Sequence, residues 1–196
     1  MTKVVSGFTM SLDGFIAEPD HEVGRLFKWY TSGDTPFPLP GTDRVFKMSA
    51  ASAVLFQEYF TTTGALVTGR GDFDASNAWN GHPPFSVPTF IVTHQPPQEW
   101  VYEGSPFIFV TDGVESAIAQ ACGAAGDKSV LVGGSKIVQQ AIRAGLLDEI
   151  NIELASILLG NGIPLFGTLG IDPVDLERVR VVEGTDVTHL RYRFVR

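Results

Sequence analysis

The run Val130-Leu131-Val132-Gly133-Gly134-Ser135-Lys136 constrains this chain more than any other segment. A buried strand ends in two glycines, and a helical pattern follows at once. Ile137, Val138, Ala141 and Ile142 fall on one side of that helix, and Gly145 marks its end. A strand, a tight turn and a helix in this order imply a parallel sheet covered by helices. The rest of the chain repeats the alternation. Strands are predicted over 4–9, 64–68, 87–93, 106–110, 128–132 and 149–157, and helices over 43–60, 113–124 and 136–144. Residues 25–30 read as one helical turn, while 10–24, 31–42 and 160–166 read as loops. Two alternating runs, 176–183 and 187–195, flank Gly184-Thr185 as an antiparallel hairpin. The expected fold is one α/β domain over residues 1–196, layered α/β/α, with a mostly parallel central sheet and an antiparallel C-terminal hairpin.

Composition narrows the function classes. Apolar residues make up 44% and charged residues 18%, which excludes gross disorder. The 14 basic and 22 acidic residues give a net charge of −8, so the chain repels a phosphate backbone and no nucleic-acid partner is expected. A small phosphate-bearing ligand needs only one local basic patch. The lone Cys122 excludes an intrachain disulfide and reads as a packed thiol in a small-residue run. Residues 1–17 lack a signal peptide's layout, because Asp13 interrupts them and only Lys3 is basic. No apolar run reaches the roughly 18 residues that span a bilayer. A cytoplasmic protein with no membrane partner is expected. His21, His82, His94 and His189 show no metal-ligand spacing with one another or with Cys122, and neither a G-x-S-x-G elbow nor a Walker loop occurs.

Three segments can carry chemistry. At Gly133-Gly134 the backbone can approach a ligand closely, and the new helix offers free N–H groups and the positive end of its dipole to an anion. Ser135 can cap that helix or donate to a phosphate oxygen, and Lys136 adds a charge. A plain strand–helix turn explains this segment equally well. In Leu66-Val67-Thr68-Gly69-Arg70 a second strand ends in glycine, followed by an arginine whose planar fork suits a phosphate. Arg70, Thr93-His94 and Gly133-Gly134 all fall at the carboxyl ends of predicted strands, where ligands of open parallel sheets sit. Together they suggest a dinucleotide. The third segment, Ser11-Leu12-Asp13-Gly14-Phe15-Ile16-Ala17, places a carboxylate on a loop, and Asp13-Gly14 is also an ordinary turn pair. Trp29, Tyr30 and Trp79 lie in loop-rich stretches, and Trp29 and Trp79 are candidates for stacking on substrate.

Taken together, SLDGFIA, VTGR, and VLVGGSKIVQQAIRAGLLDEI followed by LLGNGIPLF resemble the dihydrofolate-reductase-like superfamily. The chain is most similar there to the reductase domain of the bifunctional riboflavin-biosynthesis deaminase/reductase, over nearly its whole length. The resemblance implies NADPH as cofactor. It places Arg70 on the adenosine 2′-phosphate, with Thr68, Gly69, Thr93 and His94 nearby. Val132, Gly133, Gly134, Ser135, Lys136 and Ile137 correspond to the pyrophosphate turn. Ile16 and Ala17 correspond to the border of the nicotinamide, and Asp13 to an acidic position near substrate. Two departures matter. The acid that dihydrofolate reductases carry in their first long helix falls near Ala53, which argues against a folate. The H-x-E and P-C-x-x-C of a deaminase are absent. Basic groups for a ribose phosphate would come from Arg25, Lys28 or Lys47.

The resemblance therefore implies an NADPH-dependent reductase of a small pterin-, pyrimidine- or ribityl-like substrate, similar to 5-amino-6-(5-phosphoribosylamino)uracil reductase. Asp13 would orient substrate or relay a proton, and residues 10–24 would close as a lid hinged at Gly14 and Gly24. A non-catalytic NADPH-binding or sensing protein is the alternative. A homodimer is expected, paired through the C-terminal edge and the apolar segment 152–159.

Overall fold

The structure is a computed structural model that describes residues 2–40 and 42–195. Gly41 of the loop expected over 31–42, and the chain ends Met1 and Arg196, lie outside the described residues. In chain order the strands are β1 (Val4–Ser11), β2 (Phe15–Ala17), β3 (Thr35–Pro38), β4 (Val45–Met48), β5 (Thr63–Gly69), β6 (Thr89–Val92), β7 (Phe107–Val110), β8 (Ser129–Val132), β9 (Glu149–Ala155), β10 (Ile163–Pro164), β11 (Leu176–Gly184) and β12 (Val187–Phe194). The helices are α1 (Ala50–Thr62), α2 (Arg70–Ala75), α3 (Val114–Ala124) and α4 (Ser135–Arg143), with short 3-10 turns between them.

The chain forms two compact units. The first holds residues 2–6 and 62–148. Its sheet is parallel throughout, in the order β1-β8-β5-β6-β7. Val67, Ile91, Val130, Val132 and Val138 are fully buried in it, each worth about 1.5–3 kcal/mol against exposure. Phe73, Trp79, Trp100 and Phe107 form an aromatic cluster with edge-to-face geometry at most contacts.

The second unit holds residues 7–61 and 149–195. Its strands run in the order β11-β12-β9-β1, and the pairs β11/β12 and β12/β9 are antiparallel. The mostly parallel sheet with an antiparallel C-terminal hairpin is thus as expected from the sequence. Strands β9 and β12 have two unlike faces. Ile150, Ile152, Leu190 and Tyr192 pack on one, with Leu165 and Met10. Glu149, Asn151, Glu153 and His189 lie on the other, and all four are buried.

Several boundaries differ from the sequence expectation. The helix expected over 43–60 begins only at Ala50, because Val45–Met48 is β4, paired with β3 inside the expected loop. Its burial alternates with period two, ending in a fully buried Met48. The true start signal is Ser49, whose Oγ accepts the Ser52 amide at 3.2 Å. The turn expected over 25–30 is a 3-10 turn at Lys28–Thr31. The loops expected over 10–24 and 160–166 contain β2 and β10, which pair with each other. No helix among the described residues is long and apolar enough to cross a membrane.

Candidate functional site

In the first unit, the carboxyl ends of β5, β6 and β8 bring together most of the residues picked from the sequence. The Gly133 amide bonds to the Val67 carbonyl at 2.8 Å, which ties the turn after β8 to the end of β5. Gly134 is the N-cap of α4 and has φ 73°. A Cβ there would lie 3.1 Å from Thr68 Oγ1 and would also be strained by the positive φ. Ser135 is therefore the first helical residue and not the cap, and no side chain caps α4. The amides of Ser135 and Lys136 stand at the helix start with no carbonyl one turn earlier to receive them. Lys136 is exposed. Val132 and Ile137 are buried, so they offer only backbone. Ile137 packs against the end of β5, where a Cβ on Gly69 would come within 3.0 Å of its Cγ1. Thr68 is fully buried, and its hydroxyl donates to Asp72 Oδ2 at 2.7 Å. Burial raises the Asp72 carboxyl above its ordinary value, against the Thr68 hydrogen bond.

Arg70 opens α2 at the end of β5. Its Nε donates to Asp74 Oδ1 at 2.7 Å and its Nη1 to the Gln95 carbonyl at 3.0 Å. Thr93 Oγ1 donates to the same carbonyl at 3.0 Å. Arg70 and Thr93 are thus neighbours, as expected, and His94 is exposed beside them. The Arg70 side chain is 37% exposed, and Asp74 pairs with its Nε. Trp79 belongs to the aromatic cluster, with its ring 6.1 Å from Phe73 and 6.0 Å from Phe107.

The second unit holds the remaining candidates. Asp13 accepts from Ser11 Oγ at 2.6 Å, from the Gly160 amide at 2.7 Å and from the Leu159 amide at 3.1 Å. The Ser11 hydrogen bond, assisted by those amides, holds its carboxyl below the usual range. Asp13, expected to orient substrate or relay a proton, is bonded here to the amides of residues 159–160. Within the lid expected over 10–24, β2 pairs with β10 and the Leu12 amide bonds to the Ile157 carbonyl. Ile16 packs with Ile150, Ile152 and Leu165, and Ala17 is buried. Trp29 is only 1% exposed, so it is a core side chain and not a platform for substrate. Arg25 pairs with Glu18 and Lys28 with Asp186, which occupies two of the three cations considered for a ribose phosphate. In the segment 152–159, Ile152 and Ala155 are buried while Leu158 is 67% exposed.

Sequence reasoning missed a polar cluster beneath α1. Tyr59 Oη donates to Glu153 Oε1 at 2.6 Å. Ser52 Oγ and His189 Nε2 are 2.8 Å apart. Glu58 receives Arg180 at 2.7 Å and Arg191 at 2.8 Å. Period two in EINIELA and VTHLRYRF already places Glu149, Asn151, Glu153, His189 and Arg191 on common faces. That face is covered by a helix and not by water.

The strand order and the two glycine-ended strands define an α/β fold of the dihydrofolate-reductase type. A family model of the RibD C-terminal domain matches residues 2–190, and the chain belongs to that family. It is 24% identical over 167 residues to the uncharacterized protein YwjB of Bacillus subtilis (strain 168), covering 85% of this chain and 84% of that one. A solved structure of a Shewanella sp. PV-4 protein named for riboflavin biosynthesis superposes with TM-score 0.73 at 24% identity, over 99% of both chains. Dihydrofolate reductase from Enterococcus faecalis, complexed with NADP(H), superposes with TM-score 0.57 at 19% identity, over 98% of this chain and 96% of that one.

Proposed function

We propose that this chain is an NADPH-dependent reductase of a small pterin-, pyrimidine- or ribityl-like substrate. The observation that carries the proposal is the meeting, on one edge of the first unit, of the Arg70–Gln95–Thr93 contact with the Gly133–Gly134 turn. The residues fit the cofactor. A Cβ would fill the bend at Gly134, and the first amides of α4 suit a pyrophosphate. NADP(H) in the Enterococcus reductase supports the same choice.

When bound, NADPH supplies a hydride from its nicotinamide ring. The protein's share is to hold and orient. Gly133 and Gly134 let backbone approach the diphosphate, with Ser135 and Lys136 presenting amides and one charge. Arg70 turns the open side of its fork to the 2′-phosphate, with Thr68, Gly69, Thr93 and His94 around it. In the second unit, Ile16 and Ala17 lie on β2, paired with β10, and Asp13 fastens the same loop to residues 159–160.

Fluorescence titration tests this. Arg70→Ala is expected to weaken NADPH by about 1.5–3 kcal/mol, the range for a hydrogen bond to a charged group, while leaving NADH nearly unchanged. Equal losses for both cofactors contradict the assignment. We further propose a homodimer through the β11 edge, where Leu176, Val179 and Val181 are 44%, 40% and 47% exposed.

A further inference from the structure

The first unit sets a carboxyl group against the turn assigned to the diphosphate. Asp72 lies in the first turn of α2, just beyond the end of β5. Thr68 donates to its Oδ2 at 2.7 Å. The same two residues bound the space left by the missing side chains of Gly133 and Gly134. A Cβ on Gly133 would lie 3.5 Å from Thr68 Oγ1 and 3.9 Å from Asp72 Oδ2. One on Gly134 would lie 3.1 Å from Thr68 Oγ1 and 3.8 Å from Asp72 Cβ. Asp72 is half-buried, and its Oδ1 accepts no hydrogen bond among the described residues.

The elements around Asp72 do not balance its charge. The helix α2 packs on β5, β6 and the 3-10 turn at Asn77–Gly81, and none of these carries a titratable side chain. On α2 itself Arg70 is paired with Asp74. Lys136, at the start of α4, and His94, beyond β6, are exposed. An ionised carboxyl beside a turn that suits an anion works against that anion, and the anion in turn favours the protonated carboxyl.

We propose that Asp72 belongs to the cofactor site as a proton-dependent donor: protonated, it donates from Oδ1 to a diphosphate oxygen, and ionised, it repels the same group. The inference rests on the reductase proposal, through the cofactor assigned to the Gly133–Gly134 turn, and every residue in it lies in the first unit. No covalent bond changes. Thr68 already donates to Oδ2, so the proton goes to Oδ1, and it comes from solvent. Cofactor binding takes up this proton wherever Asp72 is ionised in the free chain and protonated in the complex. Burial already raises the Asp72 carboxyl above its ordinary value, against the Thr68 hydrogen bond, and a diphosphate beside it raises it further. Linkage fixes the sign. Affinity is highest below the value of the free chain, falls as pH rises towards the value of the complex, and is level beyond it. A further rise of about one unit corresponds to about tenfold in affinity.

A carboxylate in the first turn of α2 also suits the dipole of that helix, so the test needs a readout that a purely structural Asp72 would not move. That readout is the number of protons taken up on binding. The full chain is titrated calorimetrically with NADP⁺, the acid-stable form of the cofactor, from pH 5 to pH 8 in pairs of buffers with unlike ionisation heats. The parent is expected to take up protons and to bind more weakly as pH rises. Asp72→Asn keeps an acceptor for Thr68 and carries no charge. It is expected to take up fewer protons and, at pH 8, to bind NADP⁺ about tenfold more tightly than the parent. Protons taken up by the 2′-phosphate or by other side chains are common to both proteins, so the difference belongs to Asp72. Thr68→Val removes a hydrogen bond that favours the ionised carboxyl, so the fall in affinity should move to higher pH. This variant decides the matter if Asp72→Asn does not fold, and an unmoved fall counts against the role. A parent that binds NADP⁺ but takes up no more protons than Asp72→Asn, or an Asp72→Asn that binds no more tightly at pH 8, overturns the role of Asp72 and leaves cofactor binding at the turn intact. A parent that does not bind NADP⁺ overturns the reductase proposal, and this inference with it.

Discussion

Replacing Glu58 by Gln tests whether the charged layer beneath α1 stabilises the fold. Arg180 and Arg191 stand directly opposite each other on β11 and β12, where two like charges repel. Glu58 bridges them, taking both Arg180 Nη1 and Nη2, at 2.8 and 2.7 Å. Its carboxyl falls from 4.5 to about 2, through the Arg180 hydrogen bond first and Arg191 after it. At about 1.36 kcal/mol per unit this sets a ceiling of about 3.4 kcal/mol. Glu58 is 30% and Arg180 34% exposed, so solvent screening lowers the expected loss to about 1–2 kcal/mol at pH 7. For a chain of this size that is about 2–8 °C in Tm. The sign follows from the lowered folded-state value. The contribution is complete above the unfolded value of 4.5 and is lost as pH falls towards 2. Urea unfolding followed by tryptophan fluorescence at pH 7, 4 and 3 measures it, with parent and variant curves converging on acidification. Adding Arg180→Met to Glu58→Gln should recover part of the loss at pH 7, because Arg191 keeps Asn151. A difference that persists undiminished at pH 3, or none at pH 7, refutes the reasoning.

Four more outcomes can be checked. Gly134→Ala should lose about 1–3 kcal/mol through its positive φ and should also weaken NADPH, read by thermal melts and fluorescence titration; unchanged values in both would remove the turn from the site. Asp74→Ala frees Arg70 Nε from its 2.7 Å partner, so NADPH should bind more tightly while NADH does not. His189→Gln should lessen the acid sensitivity expected between pH 6.5 and about 4, because burial lowers His189 across that window, and the stability of the neutral imidazole is complete above 6.5 and lost as pH falls to about 4. Val181→Glu on β11 should convert a dimer to monomer in analytical ultracentrifugation, with unfolding midpoints independent of protein concentration.

The first unit was legible because local signals and long-range structure agree there. In 130–136, strand, glycines and helix are consecutive in sequence, so the turn that positions Ser135 and Lys136 is a local event. The same holds for Thr68-Gly69-Arg70. What no local signal carries is the commitment of Arg70 to Asp74 and Gln95, since the Gln95 carbonyl arrives from the end of another strand. The second unit was less legible because its contacts join distant residues. Asp13 looked like a free loop carboxylate, and its amide partners lie 146 and 147 positions away. The stripe that extended the first helix back to residue 43 misled because Phe46 and Met48 suit a strand with period two as well as a helix.

The inverted face of β9 and β12 explains the hardest miss. Alternation says only that two faces differ, and the usual inference sends the charged one to solvent. Here α1 covers that face with Ser52, Glu58 and Tyr59 as well as Leu55. Leu55, Phe56 and Phe60 attach α1 through apolar burial, and directed bonds from its polar underside add to that attachment. Such bonds fix side chains more narrowly than apolar contact does. Within this layer Glu58 is paired with Arg180 and Arg191. Glu153 lies within the same layer, bonded to a tyrosine and to no cation, and burial raises it towards neutrality. Two glutamates on one face are therefore held differently, one between two arginines and one by a hydroxyl.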